Sequence, residues 1–303
     1  MSADNACCAA CGGGRLEPYL RVQGGAGPDG LIPTTTRFGT ALSDLVRCAE
    51  CGHGQLGRLP SADRLEDAYA EAESSDYLDE EAGQRATARD ALERIERHVA
   101  PGRLLEVGCW VGFLLDEARA RAWEVAGVEP SAFASEYART RLGLDVRTAE
   151  LSHAGLEPGS FDAVVLADVI EHLPNPGAAL EQVARLARGD AVVYLALPDA
   201  GSRVARLMGR RWWSVIPTHV HYFTGVSLRT LLGRHGWQVL ETGTAPKAFT
   251  VGYYLGRVAG YSPGGSRLLV RGAERARLAD RTWAPDFRDR MYVVARAPSG
   301  QRA

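Results

Sequence analysis

"LLEVGCWVGFLL" (Leu104–Leu115) decides the fold. A continuous apolar run ending at Gly108 reads as a buried strand, and the residues from Phe113 onward read as a helix. Nucleotide-type cofactors are held at such a strand-to-helix junction, where the first free amides of the helix point outward. A dinucleotide fingerprint needs glycine at 108, 110 and 113, the middle one so that a pyrophosphate can approach the backbone. Here those positions are Gly108, Trp110 and Phe113, which argues against a nicotinamide-dependent oxidoreductase. The turn instead spells E-x-G-x-x-x-G, from Glu106, Gly108 and Gly112, with Cys109 and Trp110 inside it. Trp110 is expected at an ordinary negative φ, its ring either walling the cofactor or packing.

Working outward, strand-like and helix-like segments alternate. "WEVAGVEPS" ends a second strand at Glu129 and Pro130, where a carboxylate can accept both ribose hydroxyls. "DVRTAEL", "FDAVVLADVI", "DAVVYLALP", "WQVLETGTA" and "RMYVVARAP" supply further strands, with helical stretches between them. The pattern predicts an α/β fold with a mostly parallel sheet, whose ligands bind beyond the carboxyl ends of the strands.

The composition allows this without pointing to a special partner. The sequence has 303 residues, 46% hydrophobic and 24% charged, with a formal net charge of −2. That balance favours neither a nucleic-acid nor a membrane-surface partner. The N-terminus has no basic segment followed by an apolar one, and no apolar run is long enough for a span, so a cytoplasmic location is expected.

Five of the six cysteines precede residue 52. "CAACG" (Cys8–Gly12) and "CAECG" (Cys48–Gly52) are two C-x-x-C-G knuckles whose spacing lets Cys8, Cys11, Cys48 and Cys51 reach one ion. Four thiolates make a closed, structural Zn2+ site with no open position for chemistry. Residues 1–58 are therefore expected to be a small zinc ribbon. Residues 59–100 follow as a helical linker or cap, with helices near 62–72 and 79–99 and with Tyr69 and Tyr77 as polar aromatics. Residues 101–303 form the main domain, with an amphipathic insert at about 247–281. Its aromatic stripe leaves core packing, a lid over an apolar acceptor and a homodimer contact open.

A strand, an acidic glycine turn, a helix and a second strand ending in Glu129 resemble the class I S-adenosylmethionine-dependent methyltransferases. The resemblance implies a Rossmann-like seven-stranded sheet whose last strand, "RMYVVARAP", runs antiparallel, and S-adenosyl-L-methionine as cofactor. It also implies that Glu150 or Leu151 lies by the adenine, and that Asp168, in "SFDAVVLADVIEHLPNP", lines the cofactor. The whole sequence resembles a bacterial subgroup with an N-terminal zinc module, which includes sugar C-methyltransferases and enzymes of natural-product pathways. The sugar C-methyltransferases carry a further C-terminal domain that this sequence does not show. The resemblance thus implies methyl transfer to an O or C nucleophile of a small-molecule acceptor, such as a sugar or natural-product intermediate, and leaves the acceptor open. The competing expectation is a non-catalytic binding module recruited through its ribbon.

Taking a proton from a hydroxyl or carbon acid calls for a base with a pKa near neutrality, which favours histidine. His172, His219 and His221, with Tyr222, are the candidates. "THVHYF" follows the fifth strand, and alternation places His219 and His221 on one side if that piece is extended. The Asp168, Glu171, His172 cluster also resembles the divalent-metal cluster of some quinone O-methyltransferases.

Overall fold

The strands of the main domain are rich in Val, Leu and Ala without polar alternation, so both faces of their sheet must be covered. In the computed structural model, which describes residues 7–24, 38–59 and 78–298, they are. Five short strands come first: β1 (Leu16–Leu20), β2 (Gln23–Gly24), β3 (Thr40–Ala41), β4 (Leu45–Cys48) and β5 (Gly54–Leu56). Helix α1 (Glu81–Glu96) leads into β6 (Arg103–Val107), α2 (Phe113–Ala120), β7 (Glu124–Val128), α3 (Ala132–Leu142) and β8 (Val146–Arg147). Then come β9 (Phe161–Ala167), α4 (Pro176–Leu186), β10 (Ala187–Pro198), α5 (Arg203–Met208), β11 (His221–Tyr222), α6 (Gly225–Arg234) and β12 (Gln238–Thr244). Last are β13 (Phe249–Thr250), α7 (Val251–Arg257), α8 (Pro263–Arg275), β14 (Thr282–Trp283) and β15 (Arg290–Arg296).

Seven strands form the central sheet in the order β12-β15-β10-β9-β6-β7-β8. β6 pairs in parallel with both β7 and β9, and β9 with β10. β15 is antiparallel to β10 and β12, as expected for the last strand. The chain walks from β6 to β8 in one direction and then crosses to β9 on the other side of β6. The crevice at the carboxyl ends of β6 and β9 is therefore the switch point where ligands bind.

The period of two divides the sheet side chains between two apolar layers. Leu105, Val107, Val164, Leu166, Val193 and Leu195 pack with Leu180, Val183, Leu228 and Leu232 of α4 and α6. Leu104, Ala163, Val165, Val192 and Tyr194 face the other way, onto Ala88, Leu92 and Ile95 of α1 and Leu115 of α2. Helix α1, expected as 79–99, thus covers one face of the sheet. The expected helix near 62–72, with Tyr69 and Tyr77, lies outside the described residues.

Local signals set the helix starts. Ser131 Oγ accepts the Ala134 amide at the head of α3, and Asn175 followed by Pro176 opens α4. Thr224 and Ser227 make a reciprocal cap on α6.

A second sheet has the order β1-β4-β5-β11. Its first three strands belong to the cysteine-bearing ribbon, whereas β11 comes from the segment after the fifth strand of the main sheet. None of the described helices is long and apolar enough to cross a membrane.

Candidate active site

The glycine turn is built as its sequence demands. Gly108 and Gly112 have φ of 66° and 85°, a region that costs a side-chain-bearing residue about 1–2 kcal/mol. Space forbids a side chain as well: a Cβ on Gly108 would lie 2.7 Å from Val169 Cγ2, and one on Gly112 would lie 2.6 Å from Leu144 Cδ1. Trp110 departs from expectation. Its φ is +48°, not negative, because the turn aims its amide at Glu129. That N–H donates to Glu129 Oε2 at 2.8 Å, while the Ser131 N–H donates to Oε1 at 2.9 Å. The Trp110 ring packs toward Phe133, with centroids 6.4 Å apart.

Two buried carboxylates border this turn. Burial, with the charge of Glu129 second, pushes Glu106 well above the usual carboxylate range. Burial also raises Glu129, opposed by its two amide donors. Glu106 Oε2 finds no hydrogen-bond partner among the described residues, a cost that a cationic ligand group removes. The pair can hold a ligand with an ammonium beside Glu106 and vicinal hydroxyls beside Glu129, which fits S-adenosylmethionine. Pro130 follows Glu129 directly. Glu150 and Leu151 follow β8 at the same sheet end, and Leu151 is partly buried. Cys109 is different: its side chain belongs to the apolar layer under the sheet.

Asp168 immediately precedes Val169, which packs against Gly108 of the glycine turn. It follows β9 at φ +58° and accepts ion pairs from Lys247 Nζ and Arg290 Nη2, both at 2.6 Å. Burial alone would raise its pKa, but Arg290 and Lys247 reverse the sign and hold it well below the usual range. All three line a cavity of 430 Å³ at the carboxyl end of the sheet. Trp213, Tyr253, Tyr254, Tyr261, Trp283 and Phe287 supply aromatic walls, and His172 and His219 stand in the lining too. The aromatic stripe of the insert therefore faces this cavity. No residue of α7 is buried in a core.

The histidines part company. His172 Nδ1 lies 2.9 Å from the Thr218 carbonyl and His219 Nδ1 lies 2.8 Å from the Ser214 carbonyl. A carbonyl only accepts, so each Nδ1 carries the hydrogen and Nε2 keeps the lone pair. Burial lowers both pKa values and keeps both rings neutral. His221 does not share their side, because the chain turns at His219, whose amide donates to the Ile216 carbonyl, and becomes a strand only at His221. The His221 ring instead meets His53 of the ribbon, with Nδ1 3.2 Å from His53 Nε2. Tyr222 is buried in the apolar cluster between the ribbon and residues 205–222. Neither lines the cavity.

Glu171, His172 and His219 each place a ligand-type atom within 4.8 Å of the others. Glu171 is buried, and neither of its oxygens finds a hydrogen-bond partner among the described residues. Burial, and then Asp168, push its pKa up to about 8.

The four predicted cysteines converge. Their sulfurs lie within 4.8 Å of one another, with Cys8–Cys51 at 3.6 Å and Cys11–Cys48 at 3.5 Å. Four sulfurs at about 2.3 Å from a tetrahedral ion stand ~3.8 Å apart, so the set fits structural zinc. Gly12 and Gly52, after the second cysteine of each knuckle, have φ of 78° and 72°, and the Gly13 amide approaches Cys11 Sγ at 3.3 Å. Cys7 is exposed and outside the set.

Lys247, Arg290 and the tryptophans of the cavity were not legible as site residues, although one signal existed. Of the 35 Lys and Arg residues in the sequence, Lys247 is the single lysine.

Residues 80–242 match the methyltransferase domain family. The ubiquinone biosynthesis O-methyltransferase of Azoarcus sp. (strain BH72) is 33% identical over 111 residues, covering 34% of this chain and 48% of that protein. The chain thus spans about half the length of the curated relatives it matches. A S-adenosylmethionine-dependent methyltransferase from Archaeoglobus fulgidus superposes with a TM-score of 0.50 at 15% identity, covering 74% of this chain and all of that one (100%). The phosphoethanolamine N-methyltransferase 2 of Haemonchus contortus, solved with S-adenosyl-L-methionine, gives 0.51 at 15% identity, covering 79% and 60%. At such identities these two structures speak for the fold alone. The family match extends over more than half of the chain, and with the sheet order it shows that the chain belongs to the methyltransferase domain family, as a class I S-adenosylmethionine-dependent member.

Proposed function

We propose that the chain transfers the methyl group of S-adenosylmethionine to a hydroxyl of a small, largely apolar, ring-bearing acceptor. The observation that carries this is the 430 Å³ aromatic cavity with two neutral histidines in its wall. Its three lining cations, Lys247, Arg257 and Arg290, are offset by three lining carboxylates, Asp168, Asp286 and Asp289, so it offers no net positive charge to the pyrophosphate of a nucleotide-linked sugar. The O-methyltransferase names of the curated relatives agree with oxygen as the nucleophile. In this reading Glu106 takes the methionyl ammonium and Glu129 the ribose hydroxyls. His219 or His172 accepts the hydroxyl proton at Nε2 as the sulfur–methyl bond breaks and the oxygen–methyl bond forms. Holding the two reactants in line supplies much of the acceleration.

Calorimetric titration with S-adenosylhomocysteine, followed by turnover on hydroxylated aromatics and on nucleotide-linked sugars, tests the reading. Binding of the product cofactor with turnover of the aromatics is expected. Turnover of the sugars alone would overturn the acceptor class, and no cofactor binding would leave the non-catalytic module.

A second reading is favoured by the orphaned Glu171 carboxyl beside two imidazoles. There a divalent cation on Glu171, His172 and His219 would lower the pKa of a bound hydroxyl. Dialysis against EDTA decides between the two: activity that survives chelation and is indifferent to added Mg2+ or Mn2+ leaves histidine as the base.

A further inference from the structure

The wall of the cavity formed by residues 212–219 has little regular structure of its own. It is held from outside. Strand β11, which ends this segment, is the fourth strand of the ribbon sheet, with His221 opposite Gln55 and Tyr222 opposite Gly54. The Leu56 amide donates to the Val220 carbonyl at 3.0 Å, and the Gly39 amide to the Val215 carbonyl at 2.8 Å. Apolar packing follows the same route. Val22, Ala41, Leu45 and Leu56 of the ribbon share one buried cluster with Trp212, Val215, Val220 and Tyr222. The ribbon has no separate core there, because half of its core is the back of the wall. On its inner side the same wall is tied to the loop after β9. The Glu171 carbonyl accepts both the Val220 and His221 amides at 3.0 Å, and the Thr218 carbonyl accepts from His172.

We infer that the four-cysteine ribbon is the clamp of the acceptor site, so that metal occupancy decides whether the wall bearing Trp213, Ile216 and His219 is in place. The cofactor turn, built on β6 and β7, is independent of it. The inference rests on the cavity being the acceptor site. A ribbon of three short strands cannot bury enough apolar surface to order itself, so losing the ion unfolds it and removes the partner of β11. The wall would lose its hold while S-adenosylmethionine still binds.

Hydrogen exchange read by mass spectrometry on the full chain tests this without any acceptor, and so is separable from a failure of the proposed reaction. The zinc-loaded protein is compared with protein stripped by a mercurial and a chelator, both with saturating S-adenosylhomocysteine. Exchange in 212–224 should rise at least about tenfold on stripping, as local unfolding predicts. Exchange in 103–131, and the affinity for S-adenosylhomocysteine, should stay within about twofold. A rise confined to 7–58 would overturn the inference, and so would loss of cofactor binding together with the ribbon. Gly54→Val supplies an arm that leaves the cysteines intact, since even a Cβ at Gly54 would lie 3.0 Å from Tyr222 Cβ. It should keep stoichiometric zinc and still free 212–224; protection retained in this variant would also overturn the inference.

Discussion

The rings of His172 and His219 meet edge to face with centroids 4.7 Å apart, one following the fourth parallel strand element and the other in the wall after the fifth. Each is locked by a carbonyl at Nδ1, so the two Nε2 atoms are the basic nitrogens of the cavity lining. His219→Ala is expected to lower kcat by about 10²–10⁴ if it is the base, with S-adenosylhomocysteine affinity within about twofold. His172→Ala made in parallel identifies which ring takes the proton. Burial lowers both pKa values, so the acid limb of the rate profile should fall below the ordinary histidine range, with the base form persisting to lower pH. A limb at or above that range would remove the assignment.

Glu129 ties the turn to the second strand through the amides of Trp110 and Ser131. Glu129→Ala should weaken S-adenosylhomocysteine binding more than tenfold (about 1.4 kcal/mol or more), measured by calorimetry. Unchanged affinity would mean that the carboxylate serves only the turn.

At the glycine positions the expected order of damage follows from space and φ. Gly112→Ala places a methyl 2.6 Å from Leu144 Cδ1 and should destabilise the protein by about 1–3 kcal/mol in urea unfolding. Trp110→Gly relieves a left-handed backbone but gives up ring packing, so its effect on stability should be within about 1 kcal/mol. Equal damage from the two would contradict the conformational argument.

Asp168 holds both Lys247 and Arg290. Asp168→Asn leaves two cations facing each other and should cost about 2 kcal/mol of stability, the figure reduced because the pair is partly solvated. Lys247→Met, which keeps the stem and removes one cation, should cost less than Asp168→Asn. Chemical denaturation of both variants gives the comparison.

His221 is buried, and its pKa is lowered to about 4 by that burial, partly offset by the Leu173 and Pro174 carbonyls. The unfolded chain takes up this proton first, at about pH 6.5, so stability should fall as pH drops from there toward the folded value. The loss amounts to at most roughly 3 kcal/mol. His221→Gln should flatten the dependence of Tm on pH, with the neighbouring His53 retaining part of it. A Tm that does not change between pH 7 and 5 would refute this.

The sequence carried the glycine turn and the two cysteine knuckles because each is settled within a few residues. A left-handed glycine, a C-x-x-C spacing and a carboxylate at a strand end are local demands of backbone geometry, and each leaves its residue type in the chain. The sheet order was legible for a related reason: apolar strands covered on two faces, with one antiparallel strand at the end, leave few ways to connect.

The aromatic cavity was not legible in the same way. Asp168 meets a lysine and an arginine far along the chain, His219 and His221 part because of one turn, and Trp110 takes a left-handed φ to serve Glu129. Spacing encodes none of these, since Asp168, His221 and Trp110 each answer to a partner on another element, Lys247 and Arg290, β5 of the ribbon, and Glu129. By itself the sequence determined the family of folds, the glycine turn and the four cysteines that converge. Only the tertiary structure decided which histidines line the cavity and that the ribbon shares a sheet with its wall, because those depend on packing between segments whose spacing along the chain encodes nothing about their contact.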